Sequence, residues 1–331
     1  MLHQIATTDP PRPSSVRPDL PDALDHILMR CLAKNREQRY SAEELARELR
    51  HLQNAAVPAV TTALVVPKIE EVILEKRLIV GRETELTHLH SLLEQSMGGS
   101  GQIAFVTGEP GMGKTSLCEK FLSRLQTNQA GVLLARGRCV EQYGSAEAYL
   151  PFLDAIGSLL MTSLREPLSN LLRTYAPTWY LQFPSVIASS GAIDKLQQEI
   201  AGATKERMLR EMRDALFAMT SGSPLVLLLE DLHWADPSTI DLLRYLSARL
   251  PNLRLLILGT FREEEIERGN HPLKSSRLEM RAHQAITEIP LTLLNVEQIK
   301  NFVDQCYPSN TFSAQLSEML YAKTEGHPLF V

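Results

Sequence analysis

One octapeptide constrains this chain more than any other feature. Gly108-Glu109-Pro110-Gly111-Met112-Gly113-Lys114-Thr115 fits the pattern G-x-x-x-x-G-K-[ST]. Glycines at these spacings let the backbone turn tightly and aim its N–H groups inward, where phosphate oxygens accept from them. Such a loop must feed a helix N-terminus, whose partial positive charge favours an anion. Context separates it from a chance Gly/Pro turn. The apolar run at 103–106 reads as a buried strand, and Leu117, Phe121, Leu122 and Leu125 beyond the loop keep a helical period. On this reading residues 108–113 cradle a nucleoside triphosphate, with Ser116 just beyond them. Lys114 reaches its β- and γ-phosphates, and the Thr115 hydroxyl ligates Mg²⁺. The expected ligands are ATP or ADP with Mg²⁺.

A carboxylate pair follows some 110 residues later. The apolar run 225–229 ends in Glu230-Asp231, and the tip of a strand beside the phosphate loop is where a metal ion and an attacking water need acids. In the usual order the first acid serves the metal and the second polarises water. That gives Glu230 to Mg²⁺ and Asp231 to the base role. The first acid is more often Asp, so a reversed or shared assignment stays open. Asp236 suits an N-cap with Pro237 at the first helical position, while His233 and Trp234 read as packing residues. A fourth apolar run, 255–258, leads to Arg262, which either touches a γ-phosphate or pairs at the surface with Glu263, Glu264 or Glu265.

Strand-like runs at 103–106, 132–135, 225–229, 255–258 and 285–289 alternate with helical stretches, the sign of an α/β domain. Leu86, Leu89, Leu93 and Met97 form a helical stripe ahead of a glycine-rich turn at 98–101. Residues 145–220 are expected to be mostly helical, with Leu209, Met212, Leu216 and Met219 in period. Two more helices are expected at 295–305 and 312–324. The N-terminal stretch is different. Leu24, Ile27, Leu28, Cys31 and Leu32 share one helical face, and Ser41 with Glu44 makes a capping-box signature for a second helix carrying Leu45, Leu49 and Leu52. Residues 54–76, rich in Ala, Val, Thr and Pro, read as a linker. The expected division is a helical piece at 1–53, the linker at 54–76, a nucleotide-binding core at 77–289 and the start of a helical lid at 290–331. The Pro-rich start and the apolar finish lead us to expect a fragment of a larger protein, with the lid truncated.

Five segments, in order, resemble the signal-transduction ATPases with numerous domains (STAND), AAA+-related P-loop NTPases. They are Ile79-Val80-Gly81-Arg82-Glu83, the phosphate loop, Leu229-Glu230-Asp231-Leu232-His233-Trp234-Ala235-Asp236, Gly259-Thr260-Phe261-Arg262, and Gly326-His327-Pro328-Leu329. The resemblance covers residues 77–331. It implies a five-stranded parallel sheet flanked by helices, with one further strand between the phosphate-loop strand and the acidic strand. It also implies that Val80, Gly81 and Arg82 lie along the adenine, that Arg262 senses the γ-phosphate, and that Pro328 closes over the base. Glu230 stands where many relatives carry Asp, which leaves the hydrolysis rate in doubt more than binding. Residues 17–52 resemble the last helices of a bacterial-type Ser/Thr protein kinase, through Leu32-Ala33-Lys34-Asn35-Arg36-Glu37-Gln38-Arg39-Tyr40-Ser41. The arginine of kinases at the place of Arg39 braces the activation segment. No Gly-rich loop with a lysine strand, no H-R-D and no D-F-G is present, so protein phosphorylation is not expected.

Composition sets the remaining bounds. A net charge of −5 argues against a general nucleic-acid binder, since those carry a basic excess. Cys31, Cys118, Cys139 and Cys306 are far apart and contain no C-x-x-C pair, which suits a reducing compartment and offers no zinc site. No apolar run is long enough to cross a bilayer, and a cytoplasmic location is expected. The leading expectation is a slowly hydrolysing ATP switch in a kinase-linked signalling protein, acting through self-association or partner signalling domains. Its rivals are an origin-recognition-like, DNA-associated AAA+ ATPase and a scaffold in which nucleotide is only structural.

Overall fold

The computed structural model describes residues 22–33, 40, 44, 80–128, 131–141, 147–183, 204–269, 271–307, 312 and 314–331. The chain divides into two compact units, Met1–Leu74 and Glu75–Val331. In the first unit one helix is described, α1 (Asp22–Cys31). Ile27 is buried, Leu28 and Cys31 are half-buried, and Leu32 is exposed, so the buried face is narrower than the expected stripe. The Arg30 guanidinium stacks 4.0 Å over the Tyr40 ring. Residues 34–39, which carry most of the kinase resemblance, lie outside the described residues. So do Ser41 with most of the second helix expected there, and the linker at 54–76.

The second unit opens with α2 (Glu83–Met97) and then alternates. β1 (Gln102–Thr107) leads through the phosphate loop into α3 (Lys114–Asn128), and β2 (Leu133–Arg138) follows. Among the described residues the next helices are α4 (Leu150–Leu160), α5 (Arg165–Tyr175), the single turn α6 (Pro177–Tyr180) and α7 (Lys205–Gly222). β3 (Leu225–Glu230), α8 (Pro237–Ser247) and β4 (Leu255–Phe261) complete the centre. Short α9 (Glu263–Glu267), α10 (Pro272–Ala282) and β5 (Thr287–Pro290) precede the C-terminal helices α11 (Val296–Cys306) and α12 (Ala314–Thr324).

The strands form one parallel sheet in the order β2-β3-β4-β1-β5. The expected additional strand is β4, which lies between the phosphate-loop strand and the acidic strand. Both faces of the sheet are covered, so the central strands are mostly apolar; all six residues of β3 and all seven of β4 are buried, Glu230 and Thr260 among them. Alternation along the strands sorts side chains to two cores. Ala104, Val106, Val226, Leu228, Leu256 and Leu258 pack with α2 and α3. Ile103, Phe105, Leu225, Leu227, Leu229, Leu255 and Ile257 pack with the larger layer of α4, α5, α7, α8 and α10. Met97 is the exception to the α2 stripe. It is exposed, and the helix buries Leu92 and Ser96 beside Leu86, Leu89 and Leu93 instead. In such sheets ligands bind at the carboxyl ends of the strands. Here that edge gathers the ends of β1, β3 and β4.

One close approach requires a glycine. A Cβ built on Gly137 of β2 would stand 1.7 Å from the Pro151 carbonyl oxygen at the head of α4. Gly137→Ala is therefore expected to lower unfolding stability by about 1–3 kcal/mol, the usual cost of overpacking. Gly269→Ala, where a Cβ would meet nothing within 4 Å, should stay within about 0.5 kcal/mol of the parent. Urea unfolding midpoints of the two variants test this; equal midpoints would contradict the packing of α4 on β2.

Candidate functional site

The phosphate loop bends through three glycines with positive φ: Gly108 (151°), Gly111 (80°) and Gly113 (87°). Side-chain residues rarely adopt these conformations, which is why the loop needs glycine at them. Lys114 opens α3 and folds back across the loop. Its ammonium donates to the carbonyl oxygens of Gly108 at 2.8 Å and Glu109 at 2.9 Å, and the residue is 8% exposed. Burial pulls the Lys114 pKa below the usual lysine value, and the Arg262 charge adds to that effect. Asp231 and Glu265 oppose it. Groups from the ends of β3 and β4 thus act electrostatically on this lysine, where only the octapeptide announces a site.

Strand alternation decides where the acids point. Glu230 has the parity of Val226 and Leu228, so it faces α3; its charge bears on Cys118, one turn beyond Thr115. It is 3% exposed, and its carboxylate accepts from Arg136 Nε at 2.5 Å. Arg136 also reaches Glu119 at 3.5 Å. Asp231 leaves the strand in the left-handed region (φ 57°), which Asp tolerates better than most residues. Its N–H donates to Thr260 Oγ1 at 3.1 Å, tying the end of β3 to β4, and its carboxylate accepts from Arg138 at 3.2 Å. Mg²⁺ bound with a nucleotide takes few protein ligands, the rest being phosphate oxygens and water. The exposed Thr115 hydroxyl in the first turn of α3 and the α3-facing Glu230 fit that donor set. Among the described residues no group of three or more His, Cys, Asp or Glu forms a metal site of its own.

Arg262, at the end of β4, lines a groove of about 1070 Å³ together with Gly108, Glu109 and Pro110. The guanidinium donates to Glu265 at 2.6 Å and stands 5.6 Å over the Trp234 ring. Of the two expectations for Arg262, the pairing with a following glutamate is the one seen, and that pair stands at the phosphate-loop groove. His233 packs against Trp234 with ring centroids 4.6 Å apart. Burial lowers its pKa. Asp236 caps α8, its Oδ1 accepting from Ser238 N at 2.8 Å and Thr239 N at 3.0 Å, with Pro237 in the first turn.

On the other side of the loop lies a cavity of about 430 Å³. Val80, Gly111, Met112, Gly113, Ser116 and Pro328 line it, together with Arg82, Leu294, Phe302 and Cys306. Its volume falls in the range of small-molecule sites. Arg82 is 4% exposed and works as a brace. It donates to the Met112 carbonyl at 3.2 Å and the Thr292 carbonyl at 2.7 Å, and it pairs with Glu85. Gly81 is not among the lining residues; its carbonyl accepts from Gln298 Nε2 of α11 at 3.0 Å. The C-terminal segment meets the loop through His327. Leu329 N–H donates to His327 Nδ1 at 3.3 Å, so the proton sits on Nε2, which donates to the Pro110 carbonyl at 3.1 Å.

Several of these residues had no signal in the sequence. Arg136 and Arg138 lie beyond the apolar run 132–135, in the part of β2 that the structure adds, and their contacts follow from β2 lying beside β3 in register, Arg138 opposite Glu230. Phe302 and Cys306 are two ordinary positions of an amphipathic helix. The one available hint was Asn295 with Gln298 three residues on, a capping box that fixes the start of α11.

The family model described as AAA ATPase domain matches residues 78–258, more than half of the chain. A curated relative, an uncharacterized protein of Rhizobium meliloti (strain 1021), is 23% identical over 211 residues, which is 61% of this chain and 20% of that protein. The chain thus spans a minor part of that relative's length. Among solved structures the chain is similar to the Signal Transduction ATPase with Numerous Domains (STAND) protein with a tetratricopeptide repeat sensor from Pyrococcus horikoshii. The TM-score is 0.40 at 17% identity, covering 76% of this chain and 29% of that one. It is also similar to the Aeropyrum pernix ORC1 protein in complex with DNA, with a TM-score of 0.40 at 14% identity, covering 76% and 58%.

The four thiols should divide by environment. Burial pushes Cys118 and Cys139 up to about 12, with Glu230 and Asp236 respectively adding to it. At pH 8 their thiolate fraction is then on the order of one in ten thousand. Cys31 and Cys306 are half-buried. Ellman's reagent at pH 8 should therefore titrate no more than two thiols in the folded chain, and the others only after denaturation. Free-thiol rates at Cys118 or Cys139 in the folded chain would contradict their burial.

Proposed function

The chain belongs to the AAA ATPase domain family, and from that premise we propose that its second unit is an ATP-dependent switch that hydrolyses slowly. One observation carries the reading. Asp231 and Arg262 act electrostatically on Lys114 in a glycine loop that also borders a cavity lined in part by Phe302 and Pro328. In the proposed complex the triphosphate follows the loop backbone and the base enters the cavity between Val80, Phe302 and Pro328. The Lys114 ammonium turns from the Gly108 and Glu109 carbonyls to the β- and γ-phosphate oxygens. Thr115 and Glu230 hold Mg²⁺, which when bound neutralises phosphate charge. Asp231 orients the attacking water, and Arg262 reads the γ-phosphate. Preorganised donors of this kind are where most of the catalytic effect of such sites lies.

Slow turnover suits the pairing of both acids with arginines. Arg136 and Arg138 occupy carboxylate oxygens that a metal ion and a water also need, so each acid must share or exchange a partner before hydrolysis. A switch tolerates this, because the γ-phosphate then works as a conformational ligand. ADP holds the lid on the loop through His327 and Pro110, and exchange for ATP releases it for self-association or for a partner domain. A cytoplasmic signalling protein with a kinase ancestor upstream belongs to the same proposal. Its support is the sequence segment 32–41, of which Leu32, Ala33 and Tyr40 are described.

Calorimetry with Mg²⁺ tests the site. The chain should bind ATP and ADP, with ADP the tighter in a resting switch, and Lys114→Ala should weaken both by about 10- to 100-fold, the loss expected for hydrogen bonds from a charged donor. Either nucleotide should also slow alkylation of Cys306, which borders the cavity. A folded chain that binds neither nucleotide, or a Lys114→Ala variant that binds both normally, would sink the proposal.

A further inference from the structure

The proposed role of Arg262 leaves unexplained what holds its guanidinium in the structure, and three side chains answer that. Arg262 donates to Glu265 Oε1 at 2.6 Å, one turn along α9, with the two side chains 32% and 31% exposed. The other oxygen, Glu265 Oε2, lies 3.5 Å from His233 Nε2. His233 has a fully buried side chain, and neither of its ring nitrogens has a hydrogen-bond partner. A buried imidazole must carry at least one N–H or lone pair that wants a partner, and leaving it unmet is costly. At 3.5 Å the imidazole and the carboxylate are just outside hydrogen-bond range, and a shift of under 1 Å would join them.

We propose that Glu265 is a latch on Arg262: it holds the guanidinium away from the nucleotide until a γ-phosphate displaces it, and it then docks on the buried His233. The proposal rests on the nucleotide reading above and adds the residue that sets how strongly the site distinguishes a triphosphate from a diphosphate. A diphosphate has nothing to offer Arg262, so the Glu265 pair survives. A triphosphate competes for the same guanidinium, with more charge and more acceptors than a carboxylate. The exchange is inexpensive because the displaced carboxylate gains the imidazole and Arg262 keeps the face of Trp234. Neighbouring acids do not duplicate the role. Glu264 pairs with Arg268, and Glu263 with Arg277 at 2.7 Å. The result is a two-state element whose bias is the γ-phosphate itself. Glu265 acts here as a positioning residue.

The test is a double-mutant cycle read as the ratio of ATP to ADP affinity by calorimetry with Mg²⁺. Glu265→Gln should raise that ratio about two- to fivefold, the range of a partly exposed ion pair. Arg262→Ala should lower the ratio, and in the Arg262→Ala background Glu265→Gln should no longer raise it. Simple relief of charge repulsion would instead survive removal of Arg262, and that outcome overturns the latch. Glu264→Gln, on the same turn, should leave the ratio alone. His233→Phe should lower the ratio by depriving the released carboxylate of its partner, while His233→Gln, which retains an N–H donor, should restore it. Normal dependence on Lys114 with an unmoved ratio in Glu265→Gln overturns the latch alone. Loss of Lys114 dependence overturns the nucleotide reading and the latch with it.

Discussion

The burial of one ammonium organises this site. Lys114 is 8% exposed at the head of a helix, in a loop whose own N–H groups already make the surroundings positive. Such a charge is tolerable only with acceptors close by, and the loop supplies two carbonyls for it. Those carbonyls can point at the lysine because glycines carry the loop through positive φ at 108, 111 and 113. The rest of the site fits around this charge. Burial and Arg262 push the lysine towards its neutral form, and Asp231 and Glu265 pull it back. A polyphosphate placed there would meet donors whose alternative partners are all weaker acceptors than itself, which makes the loop a receptor and not merely a strained turn.

How much of this the sequence disclosed follows from the range of each interaction. The phosphate loop, the acids at the end of β3, the Asp236 cap and the five strands are local patterns. Each needs only a few adjacent residues, and each was legible. The position of β4 between β1 and β3 came from resemblance, since no strand states its neighbours. Met97 continues the helical period in sequence but is exposed in the structure, where Ser96 beside it is buried. Arg136 and Arg138 were missed. They matter through parallel pairing with a strand about 90 residues away, and nothing around them marks it. For Arg262 the local sequence offers both a γ-phosphate contact and a surface ion pair; the structure shows the pair, with Glu265, beside the phosphate-loop groove.

Sheet alternation carries a further consequence for the two acids. Glu230 ends an apolar strand on the α3 face, while Asp231, one residue on, turns into the left-handed region and is tied to β4 through Thr260. Arg136 and Arg138 lie two residues apart on one face of β2, and each takes one of the two carboxylates. The edge strand β2 thus contacts both acids.

The lid completes the same logic at the opposite wall. Gly326 has φ 80°, and a Cβ there would lie 2.0 Å from the Leu294 carbonyl oxygen, so the chain must pass that point as glycine. The crossing also carries a hydrogen bond from Leu294 N–H to the Gly326 carbonyl at 2.8 Å. It fixes His327 and Pro328 relative to Leu294, which itself packs with Ile299 and Val303 of α11. His327 therefore bridges a small lid core to the Pro110 carbonyl of the phosphate loop, and Pro328 is presented to the cavity by the same turn. Gln298 of α11 also reaches back to the Gly81 carbonyl, and Arg82 joins the Met112 and Thr292 carbonyls, so the C-terminal segment is tied to both flanks of the loop.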